Sequence, residues 1–302
     1  MANNPSLRKL RYFLAVAESG RVTQAAVDLN VSQSSVTTGV REIEEELGVK
    51  LFERQAQGMI LTREGTRFLQ RVRHVFQAVD EAFDSTRLHS PTLTGRLDLA
   101  MSYTVAGYFL PPLLAQFQRR YPGVDVRLHE ASRPTIQAGL EGGRFDIAIM
   151  LISNLEPDTS LSAHLLIRSP RRLWVGSHHP LLKRRGVGLA DVAQEPYIML
   201  NVDEAEQTAL RYWAPTGLSP SVLFSTSSVE AVRSLVANGS GVGILSDMVY
   251  RPWSLEGRRI EHIDLTDRIP TMDVGLTWDG SKPLTAPAQA FHDALIEAMA
   301  AG

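Results

Sequence analysis

Residues 24–37 limit what this chain can be more than any comparable stretch: Gln24-Ala25-Ala26-Val27-Asp28-Leu29-Asn30-Val31-Ser32-Gln33-Ser34-Ser35-Val36-Thr37. Two short helical patterns meet there across a tight polar turn. Ala25, Ala26 and Leu29 give the first an apolar face at i, i+1, i+4. Asn30 suits the non-helical backbone of the turn, and Ser32 is placed to N-cap the second helix. Val36 and Val40 point inward one turn apart, leaving Gln33, Ser34, Ser35, Thr37 and Thr38 outward at the helix start. Short hydrogen-bonding side chains at that end of a helix are what reading base edges in a major groove requires. Taken alone, a short helix with a polar face is usually only a solvated surface.

The flanking residues separate the two readings. Upstream, Leu10, Phe13, Leu14, Val16 and Ala17 form an amphipathic helix ending at Gly20. Downstream comes Ile43-Glu44-Glu45-Glu46-Leu47-Gly48-Val49-Lys50-Leu51-Phe52-Glu53-Arg54. There Leu47 and Gly48 end a helix, and the chain turns into a ribbon closed by Ile60-Leu61-Thr62. Over residues 8–67 this order resembles the LysR-type bacterial transcriptional regulators. The resemblance implies a winged helix-turn-helix over residues 1–65. Its DNA contacts are expected from Ser32, Gln33, Ser34, Ser35, Thr37, Thr38 and Arg41, with Arg54, Thr62 and Arg63 holding phosphate.

Three departures from that family's pattern stand out. Position 38 is threonine where the family usually has arginine, which removes a contact to phosphate or guanine; a bidentate base contact is worth about 1–3 kcal/mol. Gly39 replaces a longer polar residue and is expected to weaken its helix by about 1 kcal/mol relative to alanine. The wing, Gln55-Ala56-Gln57-Gly58-Met59, lacks basic residues. Together these imply a shallow salt dependence of DNA binding.

Charge and composition set the remaining limits. The chain has 302 residues, 44% apolar and 21% charged, enough for two or three compact domains. A net charge of −2 argues against coating nucleic acid wholesale, yet Met1–Arg73 carries 11 Lys/Arg against 8 Asp/Glu, a locally basic segment. The absence of cysteine removes disulfides, thiolate metal sites and thiol redox sensing. No run approaches the length of a membrane span and no signal peptide is legible, so a cytoplasmic protein without membrane contact is expected.

From Arg63 to about His89 apolar residues fall in three-four spacing at Phe68, Val72, Val75, Val79 and Phe83, flanked by Leu69, Phe76 and Ala82. So narrow a seam packs either on another helix or on its own domain. The family resemblance makes residues 66–90 a linker helix that pairs two subunits. Ser90-Pro91-Thr92-Leu93-Thr94-Gly95 then reads as a breaker and hinge.

Strands and helices alternate beyond it. Strands are expected at Arg96–Met101, Val124–His129, Phe145–Ile152, Arg172–Gly176, Tyr197–Asn201, Val222–Ser225, Gly243–Leu245 and Thr271–Trp278. Helices are expected at Leu110–Tyr121, Thr135–Glu141, Val229–Ala237 and Ala286–Ala300. Apolar strands between helices imply parallel sheet covered on both faces. Residues 91–302 resemble the regulators' effector domain, two α/β lobes like those of periplasmic binding proteins. One lobe is expected at about 96–168 plus 270–302 and the other at about 169–269, with chain crossings near Ile167 and Ile269.

In such a fold a ligand sits between the lobes, at the carboxyl ends of strands. Ser102-Tyr103-Thr104 follows the first strand and precedes a helical stretch, so its hydroxyls and amides suit an anion or simply cap the helix. Ser227-Ser228 repeats the arrangement before Val229–Ala237. Positions 102, 104 and 227 match family pocket positions. Arg133, after Glu130, falls near another and could meet an anionic group, although a loop arginine is commonly just solvated; Asn201 ends an apolar strand. The effector-binding set is therefore Ser102, Thr104, Arg133, Asn201 and Ser227, for a small organic anion.

Enzymatic readings find less support. His178 and His179, if on a strand, point to opposite faces, with no carboxylate at ligand spacing. Gly239-Ser240-Gly241-Val242-Gly243 lacks the strand-then-helix context of a phosphate loop and reads as a helix stop. No catalytic residue, metal or cofactor is expected. The resulting expectation is a homo-oligomeric regulator, dimer or tetramer, binding double-stranded DNA at an interrupted inverted repeat. A small-molecule effector in the cleft would alter operator bending and contact with RNA polymerase. The alternative is a solute-binding or enzymatic α/β domain whose helix-turn-helix serves protein contacts.

Overall fold

The computed structural model describes residues 6–55, 58–86, 93–155 and 160–300. The chain divides into two units, the first ending at His89.

In the first unit, α1 (Leu7–Ser19) begins where Ser6 Oγ accepts the Lys9 amide and ends at Gly20 in the left-handed region. α2 (Val22–Asp28) follows, and Asn30, with φ of +51°, makes the turn. α3 (Gln33–Leu47) starts at Ser32, whose Oγ accepts the Ser35 amide at 3.1 Å. β1 (Phe52–Gln55) and β2 (Gly58–Leu61) pair antiparallel as the wing. Gly58 is required there: its φ is +139°, and a Cβ would lie 2.4 Å from the Gly20 carbonyl oxygen. α4 (Arg63–Thr86) closes the unit.

Phe13 is fully buried at the centre, 5.2 Å from the Phe52 ring and 4.9 Å from that of Phe68. Burial of one such ring stabilises by about 2–3 kcal/mol. Val72 belongs to this core, and Phe68, Leu69 and Phe76 pack against it. The first half of the α4 seam is therefore satisfied within its own unit, while Val75 is left 39% exposed. The seam side chains Ala82 and Phe83, and residues 87–92, lie outside what the structure describes.

The second unit holds two sheets. Its chain runs through β3 (Gly95–Met101), α5 (Tyr103–Tyr108), α6 (Leu110–Arg120), β4 (Val124–Glu130), α7 (Arg133–Glu141), β5 (Ile147–Leu151) and β6 (Leu161–Ser169). It then crosses to β7 (Arg171–Gly176), α8 (Leu189–Val192), β8 (Pro196–Leu200), α9 (Ala205–Trp213), β9 (Ser221–Thr226), α10 (Val229–Ala237), β10 (Gly243–Ser246) and β11 (Ile260–Ile263). It returns as β12 (Met272–Asp279) and α11 (Ala286–Ala300).

The first sheet has the order β4-β3-β5-β12-β6. β3 is parallel to β4 and β5, whereas β12 is antiparallel to β5 and β6. This corrects the expectation of purely parallel sheet: the late strand β12 enters between two strands of the opposite direction. In the second sheet β7 lies between β10 and β11, and β8 pairs with β9. The Ile198 amide donates to the Val242 carbonyl at 2.8 Å and joins the two groups of strands. Each sheet has its own apolar core, one around Leu99, Ile149 and Phe291, the other around Leu173, Tyr197 and Trp213. β9 was expected among the covered strands, but Val222, Leu223 and Phe224 are 47%, 59% and 49% exposed.

The chain crosses between the sheets twice, at Pro170 and near Pro270. Arg171 ties the crossings together, its Nη1 donating to the carbonyls of Pro270 at 2.6 Å and Thr271 at 2.7 Å. Nearby, the buried Ser169 and Ser246 hydroxyls bond each other at 2.7 Å. Among the described residues no helix is long and apolar enough to cross a membrane.

Candidate DNA-binding surface and effector cleft

The helix α3 presents Gln33, Ser34, Ser35, Thr37 and Thr38 to the outside, while Val36 and Val40 are buried beneath them. Ser32 Oγ lies 2.9 Å from the Ser34 hydroxyl and 2.8 Å from that of Ser35, so the three form one small cluster. The Thr37 hydroxyl donates to the Gln33 carbonyl at 2.9 Å, which uses its proton inside the helix. Arg41 is exposed and pairs with Glu45 one turn on at 3.2 Å; such a pair is worth only about 0.3–0.5 kcal/mol and yields readily to a phosphate. Arg54 and Arg63 are also exposed, on β1 and at the first position of α4.

Thr62 requires a correction. Its side chain is buried, its hydroxyl donates to the Lys50 carbonyl at 2.7 Å, and the same oxygen accepts the Gly65 amide at 2.9 Å. It is the N-cap of α4, and that duty removes it from phosphate binding. Gly39 also has a reason not visible from helix propensity. It is buried, and a Cβ there would sit 2.7 Å from Tyr12 Cδ2. The wing residues Ala56 and Gln57 lie outside the described set.

Glu44 fixes the join between α3 and the wing. One oxygen accepts the amides of Leu51 at 2.9 Å and Phe52 at 3.2 Å, and the other meets Lys50 Nζ at 2.6 Å. Burial pushes this carboxyl upward, but the bonds from Lys50 and the two amides outweigh it and hold the group below the usual carboxylate range.

In the second unit a cavity of about 420 Å³ opens between the sheets, lined by Ser102, Glu130, Arg133, Asn154, Asn201 and Ser227, among others. Four of the five expected effector residues thus share one cavity. Ser102 occupies the residue before α5, but its side chain caps nothing. Its buried Oγ meets no hydrogen-bond partner among the described residues. Ser228, not Ser227, caps α10 by accepting the Ala231 amide at 3.2 Å. Arg133 is the first residue of α7, which begins two residues earlier than expected. The fifth residue, Thr104, is buried beside a smaller cavity of about 40 Å³ that Arg171, Tyr197 and Tyr212 also line.

Apart from Ser102, the donors of the Ser102–Thr104 turn and Arg133 are already engaged with carboxylates of the chain itself. Asp203 accepts the Tyr103 amide at 3.2 Å, the Thr104 amide at 2.7 Å and the Thr104 hydroxyl at 2.6 Å. Glu204 accepts Arg133 Nε at 2.7 Å. Both acidic residues hold the left-handed backbone, with φ of +48° and +62°, a conformation that costs about 1–2 kcal/mol per residue. Asn154 helps fix the strained turn by donating to the Asp203 carbonyl at 3.3 Å. The sequence reading missed this acidic pair. The available signal was its position, immediately after the apolar strand β8 and its end residue Asn201, where ligand-facing loops begin.

A second contact crosses the cleft. The Tyr108 hydroxyl donates to Glu230 Oε1 at 3.0 Å. Burial, and then the adjacent Glu230 carboxylate, push the phenol up to about 12, so it remains a donor. Elsewhere, His178 and His179 lie in the turn after β7, not on a strand. The His179 ring accepts the Leu181 amide at 3.3 Å and faces Glu195 at 3.6 Å. Gly239, with φ of +78°, follows α10 as a helix stop.

A winged helix-turn-helix in one unit and a two-sheet domain with a polar interlobe cavity in the other define a ligand-responsive DNA-binding protein. Comparison with known proteins specifies the class further. Residues 7–66 match the family "Bacterial regulatory helix-turn-helix protein, lysR family", and residues 91–300 match "LysR substrate binding domain". The chain belongs to the LysR family of transcriptional regulators, with an effector-binding domain, and is not an enzyme.

Its relatives agree along nearly the whole length. The RuBisCO operon transcriptional regulator of Allochromatium vinosum is 29% identical over 289 residues, 95% of this chain and 94% of its own. The DNA-binding transcriptional dual regulator OxyR of Escherichia coli is 26% identical over 293 residues, 96% of this chain and 94% of its own. Among solved structures, HinK, a LysR family regulator from Pseudomonas aeruginosa, is 28% identical and superposes with a TM-score of 0.63, covering 97% of this chain and 98% of its own. LysR regulators bind DNA and small-molecule effectors and form oligomers.

Proposed function

We propose that this regulator binds as a homo-oligomer to an interrupted inverted repeat and that a small organic anion in the cleft of the second unit controls its operator complex and its contact with RNA polymerase. Ser32, Gln33, Ser34, Ser35 and Thr38, with Arg41, meet the bases and nearby phosphates; Arg54 and Arg63 hold phosphate at the flank. Ser102, Arg133, Asn201 and Ser227 face the effector, with Thr104 acting from behind. The observation that carries this reading is the buried Ser102 hydroxyl without a partner, lining a cavity together with Arg133. A buried hydroxyl left unpaired costs about 1–3 kcal/mol, which a ligand oxygen would recover.

Oligomerisation draws support from the exposed row Val222-Leu223-Phe224 on β9 and from Val75 on α4, apolar surfaces that a partner subunit would cover. Two-fold assembly then imposes two-fold symmetry on the operator. As a DNA-binding regulator the protein works in the cytoplasm. The Pectobacterium relative is named a hydrogen peroxide-inducible genes activator; with no cysteine in this chain, a thiol cannot be its sensor.

Gel shift and footprinting on the protein's own promoter region test the reading. A specific, salt-sensitive complex with two protected half-sites is expected. Ser102→Ala is expected to retain that complex and to lose the response to inducer in a reporter strain. Absence of specific binding refutes the operator assignment, and a normal response in Ser102→Ala refutes the cleft assignment.

A further inference from the structure

Asp203 and Glu204 do to the cleft what an effector would do. Asp203 places a carboxylate on two amides and one hydroxyl of the first lobe, and Glu204 places another on Arg133. All four donor groups belong to one lobe and both acceptors to the other, so the contacts draw the lobes together. The segment that carries the acceptors is strained at both residues. Strain of this kind persists only where surrounding contacts enforce it. The adjoining cavity still contains the unpartnered Ser102 hydroxyl and the half-buried Arg133 guanidinium.

We infer that Asp203–Glu204 is a tethered internal ligand which latches the two lobes, and that a small organic acid switches the protein by displacing it from the Tyr103 and Thr104 amides and from Arg133. This deepens the cleft assignment and rests on it. Displacement couples binding to lobe movement directly. When an external carboxylate takes the donors, Asp203 and Glu204 lose the contacts that hold them in the left-handed region, and the turn relaxes away from the first lobe. The latch also lowers apparent affinity: a ligand competing with a partner held in place binds only the unlatched fraction, and its apparent Kd rises by the reciprocal of that fraction. A regulator built this way responds to an accumulated acid and ignores traces of it.

The test compares the full-length protein with the double variant Asp203→Gly, Glu204→Gln, in which glycine also removes the strain at position 203, using succinate as probe and its uncharged diamide as control. Titration calorimetry is expected to give at least tenfold tighter succinate binding to the variant and none of the diamide. Hydrogen exchange at the amides of Tyr103 and Thr104 is expected to be slow in the wild type, fast in the variant, and slow again in the variant with succinate. The pair Asp203→Asn, Glu204→Gln, which keeps the side-chain shapes, repeats the test should the glycine form misfold. Equal or weaker succinate binding in the unlatched protein, or amides as protected without the carboxylates as with them, overturns the latch. Operator binding measured on the same samples is independent: its absence in the wild type refutes the operator assignment, whatever the succinate result.

Discussion

Gly39 tests whether a glycine in a recognition helix is a flaw or a fit. By helix propensity alone, Gly39→Ala stabilises by about 1 kcal/mol. The structure predicts the opposite sign. The added Cβ would lie 2.7 Å from Cδ2 of Tyr12 and 3.4 Å from its Cε2, and Tyr12 is only 7% exposed, so its ring has little room to withdraw. Overpacking of that kind costs about 1–3 kcal/mol. Subtracting the propensity gain leaves a net destabilisation of about 1 kcal/mol. In a Tyr12→Ala background the clash is gone, and the same substitution should stabilise by about 1 kcal/mol, a coupling near 2 kcal/mol between two residues in contact. The four tryptophans, at positions 174, 213, 253 and 278, all belong to the second unit. Urea unfolding followed by tryptophan fluorescence therefore reports that unit alone, while far-UV circular dichroism reports both. The effect should appear only in the dichroism transition of the first unit. Stabilisation by Gly39→Ala with Tyr12 intact, or coupling below about 0.5 kcal/mol, refutes the argument.

Further outcomes are expected elsewhere. Glu44→Ala leaves two buried amides unpaired and should destabilise the first unit by about 2–4 kcal/mol, measured by the same urea unfolding. The Glu44 carboxyl is lowered from its ordinary 4.5, so its contribution is fully present above about pH 4.5 and is lost as pH falls through the lower folded value. Glu44→Gln should accordingly flatten the acid limb of the first unit's stability curve, and an unchanged limb would contradict the assignment. The wing carries no Lys or Arg across residues 55–59; adding one by Gln57→Lys should steepen the log K against log salt slope of operator binding by about 0.9, and no change would place the wing away from phosphate. Arg171→Met abandons two carbonyls at the lobe crossings and should lower the second unit's stability by about 1–3 kcal/mol, read by tryptophan fluorescence.

The helix-turn-helix was legible because its signals are local. Ser32, Asn30, Gly20 and Gly48 act within a few residues of where they stand, and each occupies the cap or turn its chemistry suggested. Thr62 misled for the opposite reason: a hydroxyl before a helix looks free until the Lys50 carbonyl, twelve residues back, is seen to claim it. In the second unit the strands with long apolar runs, β3, β5 and β12, were visible, whereas β6 and β11 were not. Their interior and exterior residues follow no clean alternation, and their partners, β12 and β7, lie far off in sequence. Four of the cleft residues could be placed from strand ends together with the family's pocket positions. The acidic pair could not, because its meaning depends on amides about a hundred residues away.

The distribution of contacts around the cleft also suggests which side moves. At the crossings the bonds are short: Arg171 to two carbonyls, that of Pro270 exposed and that of Thr271 partly buried, and Ser169 to Ser246 with both residues at 5% exposure or less. Water and salt barely reach the serine pair, and the Arg171 bonds join a cation to neutral carbonyls, so neither depends on a second charge that salt would screen. At the opposite rim the Arg133–Glu204 pair retains 24% and 26% side-chain exposure, and Glu230, which receives Tyr108, retains 39%. Partly exposed ionic contacts are screened by salt and are individually worth about 1 kcal/mol or less. Rotation about the crossings must break these and also the three bonds from Tyr103 and Thr104 to the Asp203 carboxylate, which salt screens little. Raising ionic strength should loosen the Arg133–Glu204 pair and leave the Asp203 bonds and the crossings in place, so that succinate binding weakens less with salt than a simple ion pair would. The same salt that screens Arg133 from the ligand also screens it from Glu204, and the two effects oppose each other in the measured affinity.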